Sequence, residues 1–380
     1  MEYRTLPHSG MKVSTIGIGS GSVHESNEKQ TVELIDYAQS QGINLIDMAT
    51  SYPEPWQNYG VALKGRRNQF HLQMHLGITY ETGQYSRNYT LESIKRSFEN
   101  QIEITGSDYA DIAVFHCIDT AEDYNKLMDN GAFDYAVKLK RDGVIRNLGV
   151  ATHTAEIANR FIATGEMDAL MFSINAAYDL DPVANDPYGE DSKNYAGIIV
   201  SQNRQKLFQD CYRLGIGINV MKAYGGGKLL DAKTSPFGQA MSIPQCLKYA
   251  LDRPSVVSCM VGVRNKQDLE DAAQLYSAAD KELDYSFIMK IQSQDMRGSC
   301  VYCNHCMPCP AEIDIGQIHK FFDLYMAGDE MAKEHYYAMS KNASDCIQCG
   351  MCEGRCPFGV AIREKMRSAR TALHTTSIIN

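Results

Sequence analysis

The sequence predicts an α/β chain in which a (β/α)8 barrel is followed by a small α-helical domain. Short strand-like runs alternate with longer amphipathic runs over the first three quarters of the chain, and eight such strand–helix units can be counted there. Eight of the twelve cysteines then lie between Cys300 and Cys356, which sets the end of the chain apart. We therefore expect the barrel in residues 1–285 and the second domain in residues 286–380. A doubly wound sheet is the alternative for the first part.

The predicted strands follow a hairpin whose arms are YRTL and KVST. In chain order the eight strand cores are TIGIG, NLIDMA, FHLQMHL, IAVFHC, NLGVATH, ALMFSIN, GINVMKA and SCMVGV. Amphipathic runs such as KQTVELIDYAQSQG separate these cores. The segment GIGSGS resembles a glycine-rich nucleotide loop but lacks the G-x-G-x-x-G spacing, so we assign its glycines to the end of the first barrel strand.

Side chains at the carboxyl ends of the strands gather at one rim of such a barrel, where the chemistry of these folds takes place. Two histidines, an aspartate and a tyrosine fall at these positions, which favours a functional site over packing alone. The residues that the strand ends bring to this rim are Asp47, Tyr52, His75, His116, Asn175, Lys222, Gly262 and Arg264.

The composition is that of a globular protein with an acidic balance, since the net charge is −9. This balance argues against nucleic-acid or membrane-surface partners, because both favour a basic face. The sequence contains no run of about 18 apolar residues and no charged and apolar leader pattern, so we expect a cytoplasmic chain. In that reducing compartment, clustered cysteines are expected to bind metal rather than to form disulfides.

The clustered cysteines form two runs, CVYCNHCMPCP at residues 300–310 and CIQCGMCEGRCP at residues 346–357. The second run has the C-x-x-C-x-x-C-x-x-x-C-P spacing that binds 4Fe–4S clusters, and the first is one residue shorter before its last cysteine. Zinc, the alternative, prefers two separated C-x-x-C pairs. In two-cluster ferredoxins the last cysteine of each run binds the other cluster. We therefore expect one cluster on Cys300, Cys303, Cys306 and Cys356, and the other on Cys346, Cys349, Cys352 and Cys309.

Five segments of the first part resemble motifs of the aldo-keto reductase family, in the order in which that family has them. They are INLIDMATSYP, SDYADIAVFHCID, LKRDGVIRNLGVATHT, GINVMKAYGGGKL and VGVRNKQDLED. The cysteine-rich end resembles the ferredoxin-like extension of one bacterial branch of the family. The resemblance covers nearly the whole chain, and it implies hydride transfer from NAD(P)H to a carbonyl group.

The resemblance also implies catalytic roles. Tyr52 takes the position of the proton-donating tyrosine, His116 that of the histidine that orients the substrate oxygen, and Asp47 that of the ionic partner. A phenol is a weak acid at neutral pH unless a neighbouring cation lowers its pKa, and the family places a lysine there. In this chain His75 stands in that position. Protonated His75 could serve as the cation, neutral His75 could relay a proton, and Lys222 is a further candidate cation.

For the cofactor, the resemblance implies NADP(H), with NAD possible. Asn175 takes the position of the residue that binds the nicotinamide carboxamide, and Lys222 is expected to face the cofactor. Gly262, Arg264 and Lys266 lie in the loop that would face the adenosine phosphate. Two cations in that loop favour NADP, because a 2′-phosphate pairs with guanidinium or ammonium groups.

The expected function is reduction of a small-molecule carbonyl compound or enone, with two 4Fe–4S clusters that exchange electrons and a ferredoxin or flavodoxin as electron partner. Trp56 and Tyr178 are candidates for the substrate pocket. Tyr178 belongs to a long polar loop at residues 176–197, which we expect to cover the pocket or to contact the second domain. The alternative is a nucleotide-binding electron-transfer or interaction protein with impaired ketone reduction and structural clusters.

Overall fold

Eight parallel strands wrapped by helices are followed by a helical C-terminal region. The computed structural model describes residues 1–81, 83, 85–182, 198–200, 202–290, 298, 300, 302, 304, 306–326, 331–356 and 359–374. Two predicted features lie partly outside the described residues, namely Cys303 in the first cysteine run and residues 183–197 of the polar loop.

Each predicted strand core forms a strand. In chain order the strands are β1 (Tyr3–Thr5), β2 (Lys12–Ser14), β3 (Ile16–Gly19), β4 (Leu45–Asp47), β5 (His71–Leu76), β6 (Ile78–Thr79), β7 (Ser86–Arg87), β8 (Ile112–Phe115), β9 (Leu148–Thr152), β10 (Ala169–Ser173), β11 (Leu180–Pro182), β12 (Ile198–Val200), β13 (Gly217–Met221) and β14 (Val256–Gly262). Eight of them close a barrel in the order β3-β4-β5-β8-β9-β10-β13-β14, with β14 paired to β3. The closed barrel confirms the predicted fold class and excludes the doubly wound sheet.

The helices occupy the predicted amphipathic runs and the C-terminal region. They are α1 (Glu28–Ser40), α2 (Glu54–Ala62), α3 (Leu91–Ile104), α4 (Ala121–Asp129), α5 (Ala132–Arg141), α6 (Ala155–Ile162), α7 (Ala176–Asp179), α8 (Gln202–Leu214), α9 (Ile243–Leu251), α10 (Lys266–Ala273), α11 (Asp280–Leu283), α12 (Ile315–Met326), α13 (Met331–Ala338), α14 (Met351–Arg355) and α15 (Ile362–His374). Local sequence determines where several helices begin. At α1 the side chains of Asn27 and Gln30 each accept a hydrogen bond from the backbone N–H of the other residue. Among the described residues, no helix is long and apolar enough to cross a membrane.

The pleat of the strands decides which side chains enter the barrel. Along β5, Leu72 and Met74 pack in the layer between strands and helices, whereas Gln73 and His75 make hydrogen bonds inside the barrel. The interior therefore has two zones. Its apolar zone is closed by the β1–β2 hairpin and contains Leu6, Val13, Leu45, Ile112, Val114, Met171 and Met260, whereas its polar zone lies towards the carboxyl ends of the strands.

The C-terminal region lies against the carboxyl-end rim. Its apolar side chains, among them Ile313 and Ile318, are continuous with the hydrophobic layer outside the barrel. Polar contacts fix the same position, because the hydroxyl of Tyr52, beyond β4, donates to Asp314 at 3.1 Å. Lys228, beyond β13, forms a 3.9 Å ion pair with Asp323 on α12. Both cysteine runs are thereby attached to the face of the barrel where chemistry is expected.

Gly149 provides a test of the barrel packing. A Cβ atom at this position in β9 would lie 2.3 Å from the carbonyl oxygen of Ala169 in β10. We expect Gly149→Ala to push these strands apart and to lower the free energy of unfolding by about 1–3 kcal/mol. The midpoint of thermal unfolding, followed by far-ultraviolet circular dichroism, should then fall by at least ~2 °C. Gly21→Ala is the control, since a Cβ atom there would meet no described atom within 4 Å; equal midpoints for the two variants would contradict the packing argument.

Candidate active site

Three of the predicted rim residues meet inside the mouth of the barrel. Asp47 ends β4, His75 lies near the end of β5, and His116 follows β8. His75 Nε2 lies 2.6 Å from Asp47 Oδ1, and His75 Nδ1 lies 2.7 Å from His116 Nδ1. None of the three is more than 4% exposed. The structure thus joins them in one buried chain of hydrogen bonds.

Polar neighbours hold this chain in place, as buried polar groups require. Gln73 Nε2 donates to Asp47 Oδ1 at 2.8 Å, and Asn219 Nδ2 of β13 donates to Gln73 Oε1 at 2.7 Å. The side chain of Gln101 on α3 accepts from the backbone N–H of His75 at 3.0 Å and donates to its carbonyl oxygen at 2.9 Å. The position of His75 is therefore fixed from both the barrel interior and the outer helix.

Burial decides the charge of His116 in this chain of hydrogen bonds. Burial, and after it the neighbouring His75, keep the pKa of His116 well below its usual value, so His116 is neutral at neutral pH. The contact between the two Nδ1 atoms needs one hydrogen, which either ring can supply, and His75 Nε2 faces Asp47. Such an arrangement can store one proton and pass it towards His116.

Tyr52, the predicted proton donor, lies at the rim with 36% of its surface exposed. Its hydroxyl is bonded to Asp314 of the C-terminal region. Burial, and after it the charge of Asp314 and this hydrogen bond, raise the pKa of Tyr52 well above its usual value. Tyr52 thus has a carboxyl group beside its hydroxyl, where the family mechanism implied by the resemblance has a cation.

A tyrosine that the sequence analysis did not single out contacts the histidines directly. Tyr85 lies just before β7, in the hairpin that follows β5, and is 8% exposed. Its hydroxyl lies 2.6 Å from His116 Nε2. The hydroxyl of Tyr89 donates to the carbonyl oxygens of His116 and Cys117 at 2.9 and 3.0 Å. The only signal in the sequence was a dense run of tyrosines, Tyr80, Tyr85 and Tyr89, between strand and helix.

Lys222 belongs to a second, partly buried chain at the rim. Its Nζ lies 2.6 Å from His153 Nε2, and His153 Nδ1 lies 3.0 Å from Asp119 Oδ2. Burial acts to raise the pKa of Asp119, but the charge of His153 and its hydrogen bonds hold that pKa well below the usual value. The candidate replacement cation is therefore engaged with His153.

The predicted nicotinamide ligand, Asn175, is buried beyond the end of β10. Its Nδ2 donates to the carbonyl oxygen of Lys222 at 2.9 Å, and its Oδ1 accepts from the backbone N–H of Tyr178 at 3.1 Å. Tyr178, on α7, is half-buried beside this amide. Both ends of the Asn175 side chain are thus tied to neighbouring backbone at the rim.

The predicted phosphate-binding residues follow β14. Gly262 is exposed, and a Cβ atom there would meet no described atom within 4 Å, so its face is open. Arg264 Nη2 lies 2.8 Å from Asp268 Oδ1, and Lys266 Nζ lies 2.9 Å from Glu270 Oε1. The two cations stand beside the start of α10, whose backbone N–H groups favour an anion. This donor set fits the phosphate of a nucleotide.

Trp56 packs inside the fold. It is 2% exposed, its Nε1 donates to the carbonyl oxygen of Met48 at 2.8 Å, and its ring meets that of Tyr80 edge-on with 5.2 Å between the centroids. These contacts support a packing role for the predicted substrate-pocket tryptophan.

A cavity of about 550 Å³ separates the barrel rim from the C-terminal region. We call it the rim cavity. Its lining comprises Ser51, Tyr52, Tyr85, Asn304, Met307, Glu312, Asp314, Gln317, Phe321, Ala338, Met339, Ser340 and Lys341. The barrel and the first cysteine run therefore line the same cavity.

Cysteines of the two runs lie around one space. A second cavity is lined by Cys346, Cys349 and Cys352 together with Cys309 of the first run. Gln348 Nε2 donates to Cys346 Sγ at 3.3 Å, the kind of bond that cluster-binding sulfurs receive. The described residues contain no three His, Cys, Asp or Glu side chains placed to hold a single metal ion, and these four sulfurs instead surround a space. This arrangement fits a cubane.

The other predicted set is described except for Cys303. Arg355 Nη1 donates to the carbonyl oxygen of Pro308 at 2.7 Å, which brings the neighbouring Cys356 to the first run. Cys300 Sγ accepts from the backbone N–H of Tyr302 at 3.4 Å, and Cys306 is buried. The described members of this set are thus consistent with a second cubane.

Comparison with known families assigns both parts of the chain. Residues 15–244 match the model of the aldo/keto reductase family, and residues 299–361 match that of a 4Fe-4S dicluster domain. The chain belongs to the aldo/keto reductase family. Members of this family are oxidoreductases, and this one carries a 4Fe–4S dicluster domain at its C-terminal end.

Individual relatives of this aldo-keto reductase are distant. Aldo-keto reductase YhdN of Bacillus subtilis (strain 168) is 27% identical over 209 residues, which are 51% of this chain and 60% of that protein. Protein tas of Escherichia coli (strain K12) is 46% identical over 56 residues, which are 14% of this chain and 16% of that protein. The matches thus span less than two thirds of each relative. The holo form of an aldo-keto reductase from Bacillus halodurans shares the fold, with a TM-score of 0.59, 18% identity, and 78% of this chain and 97% of that one covered.

The dicluster domain of this aldo-keto reductase predicts its iron content. Protein purified without oxygen should contain about eight iron and eight sulfide atoms per chain. Cys352→Ala removes one predicted ligand of the second cluster and should lower the iron content to about four atoms. Cys246→Ala, a buried barrel cysteine outside both runs, is the control and should keep about eight. Zinc in place of iron, or an unchanged count in Cys352→Ala, would contradict the ligand assignment.

Proposed function

We propose that this aldo-keto reductase uses NAD(P)H to reduce a small carbonyl compound or an activated C=C bond in the rim cavity, and that its clusters exchange electrons with this site. The observation that carries the proposal is the buried Asp47–His75–His116 chain, which lies behind the wall of the rim cavity. A stored proton beside a space for a small molecule is what reduction of a carbonyl needs.

The rim cavity has the size of a small-molecule site, for which about 300–1,000 Å³ is usual. Its wall combines apolar side chains such as Phe321 and Met339 with polar groups, which include Glu312 and Asp314 on the C-terminal side and the phenols of Tyr52 and Tyr85 on the barrel side. Two carboxyl groups against the single ammonium group of Lys341 disfavour an anionic substrate by repulsion. We therefore expect an uncharged, polar carbonyl compound or enone.

NADPH, when bound, supplies the hydride. Asn175 would bind the nicotinamide carboxamide, with Lys222 beside it. Gly262 leaves room for the cofactor backbone, and Arg264 and Lys266 would bind the adenosine phosphate. The carboxylates that now pair with these two cations keep them in position.

The clusters, when bound, can give or take single electrons. The first cysteine run supplies Asn304 and Met307 to the wall of the rim cavity. The predicted ligand Cys306 lies between these two residues in the sequence, so a cluster-binding segment borders the rim cavity, which supports electron exchange rather than a purely structural role. A ferredoxin or flavodoxin would be the external electron partner.

A second candidate is a nucleotide-binding electron-transfer or interaction protein in which ketone reduction is impaired. The observation that favours it is the bond between Tyr52 and Asp314, together with an imidazole at His75 where the family resemblance implied a lysine. The two candidates differ in whether the chain turns over a carbonyl compound.

The decisive experiment uses the full chain, purified without oxygen. NADPH and NADH are offered with a panel of uncharged aldehydes, ketones and enones, and nucleotide oxidation is followed together with absorbance near 400 nm. We expect oxidation of nucleotide with at least one panel member, and nucleotide-dependent bleaching of the cluster absorbance in the absence of substrate. Bleaching without any turnover would support the second candidate. Turnover without bleaching would show that the clusters are structural.

Arg264 provides a test of the cofactor assignment. We expect Arg264→Ala to weaken NADPH binding about tenfold or more while leaving NADH binding within about twofold, because only NADPH has a phosphate for the guanidinium. Fluorescence titration of both nucleotides measures this. Arg160→Ala is the matched control, since Arg160 also forms a 2.8 Å ion pair with a carboxylate four residues away in the sequence, that of Glu156. An equal loss of affinity for NADPH and NADH, or no loss for either, would contradict the assignment.

A further inference from the structure

The family resemblance assigned proton donation to Tyr52, but the hydrogen bonds point to a different phenol. The Tyr85 hydroxyl lies 2.6 Å from His116 Nε2, and the two rings are edge-on with 5.6 Å between the centroids. An imidazole nitrogen has one in-plane direction for a strong hydrogen bond, and at this nitrogen Tyr85 occupies it. Tyr52 has its hydroxyl on Asp314.

Four residues therefore form a single line of hydrogen bonds. From the inside outward these are Asp47, His75, His116 and Tyr85, joined by contacts of 2.6, 2.7 and 2.6 Å. The inner end is a buried carboxylate, and the outer end is a phenol in the wall of the rim cavity. No other side chain intervenes between the stored proton and the cavity wall along this line.

We propose that Tyr85 is the catalytic residue that protonates the substrate, and that the line through His116 and His75 to Asp47 returns a proton to it. This inference rests on the proposed reduction of a carbonyl compound in the rim cavity. It assigns to Tyr85 the donor role that the resemblance implied for Tyr52, and to His75 a place in the relay.

The protons balance along the line. In the loaded state His75 has a proton on each ring nitrogen, donating to Asp47 and to His116 Nδ1, while His116 Nε2–H donates to the Tyr85 oxygen. Tyr85 gives its own proton to the carbonyl oxygen, whose carbon receives the hydride of the nucleotide, so the C=O bond becomes an alcohol and the nucleotide is oxidised by two electrons. The Nε2 proton of His116 then moves to Tyr85, and the Nδ1 proton of His75 moves to His116.

In the spent state the two outer hydrogen bonds of the line are reversed, the bond to Asp47 keeps its direction and none is lost. Tyr85 now donates to His116 Nε2, His116 Nδ1–H donates to His75, and His75 Nε2–H still donates to Asp47. The line has lost one proton, which water in the rim cavity can restore through Tyr85. Both states satisfy all four buried groups, as a relay requires.

The charges around Tyr85 suit a donor that is protonated at rest. Burial raises the pKa of Tyr85 well above its usual value, while the nearby Arg87 guanidinium acts to lower it. Arg87 itself stays charged, because neighbouring phenols and Cys117 outweigh burial and raise its pKa. Its Nη1 donates to the carbonyl oxygen of Cys117 at 3.1 Å. The positive charge of Arg87 thus stabilises the phenolate that forms briefly when Tyr85 gives up its proton. In the family mechanism implied by the resemblance, a lysine has this role at the tyrosine that Tyr52 replaces.

The test compares two single-hydroxyl deletions in the full, cluster-containing chain. Tyr85→Phe should lower kcat for the best panel carbonyl by about 100-fold or more, the usual size of general-acid catalysis, with nucleotide affinity unchanged. Tyr52→Phe removes a cavity-wall hydroxyl that lies outside the line, so it should lower kcat far less, by under about tenfold. Tyr80→Phe is the control, since Tyr80 lies in the same hairpin segment and its hydroxyl donates to the carbonyl oxygen of Thr50 at 2.6 Å; it should keep kcat within about threefold.

A 100-fold loss in Tyr52→Phe, or activity within threefold in Tyr85→Phe, would overturn the assignment. If Tyr85→Phe does not fold, judged by circular dichroism and iron content, Tyr52→Phe decides alone, since retained activity supports the relay and lost activity overturns it. A wild-type chain that reduces no carbonyl compound would instead overturn the proposed reduction, and the role of Tyr85 with it.

Discussion

The hydrogen bond between His75 and Asp47 is the interaction on which the rest of the site depends. Both groups are buried, and a buried carboxylate is stable only when hydrogen-bond donors or an opposite charge compensate for its lost hydration. Gln73 provides one bond and His75 provides the other, and His75 in turn fixes the ring of His116. A lysine at this position would end the chain at its ammonium group. An imidazole has two nitrogens on opposite sides, so it extends the chain to His116 and on to Tyr85.

The C-terminal region changes what the barrel rim can do. It binds the hydroxyl of Tyr52 through Asp314 and closes one side of the rim cavity with residues of the first cysteine run. A single set of contacts thus holds the Tyr52 hydroxyl on Asp314 and brings the first cysteine run to the wall of the rim cavity, where we propose that the substrate binds. Under this proposal the barrel rim and the dicluster domain act as one site.

Much of this architecture can be predicted from the sequence, because it depends on local sequence patterns. The eight strand cores, the end of the first strand at Gly19 and the meeting of Asp47 with His75 and His116 all follow from periodicity and from the geometry of a barrel rim. The role of Tyr85 does not follow from these patterns, because Tyr85 lies in a short hairpin after β5 and tertiary packing sets the path of that hairpin. The bond from Tyr52 to Asp314 joins residues 262 positions apart and has no local signature. Trp56 shows the same limit, because its place near the rim left a pocket role and a packing role equally open, and tertiary packing buries it.

Whether His75 relays a proton or merely supplies charge is the central question, and His75→Lys answers it most directly. An ammonium binds its proton about four pKa units more tightly than an imidazole, so it passes that proton to His116 far less readily, although its positive charge is permanent. The relay predicts that kcat for the best carbonyl substrate falls by at least about tenfold in His75→Lys, with nucleotide binding unchanged. A rise in kcat would contradict the relay and show that the site lacks only a cation.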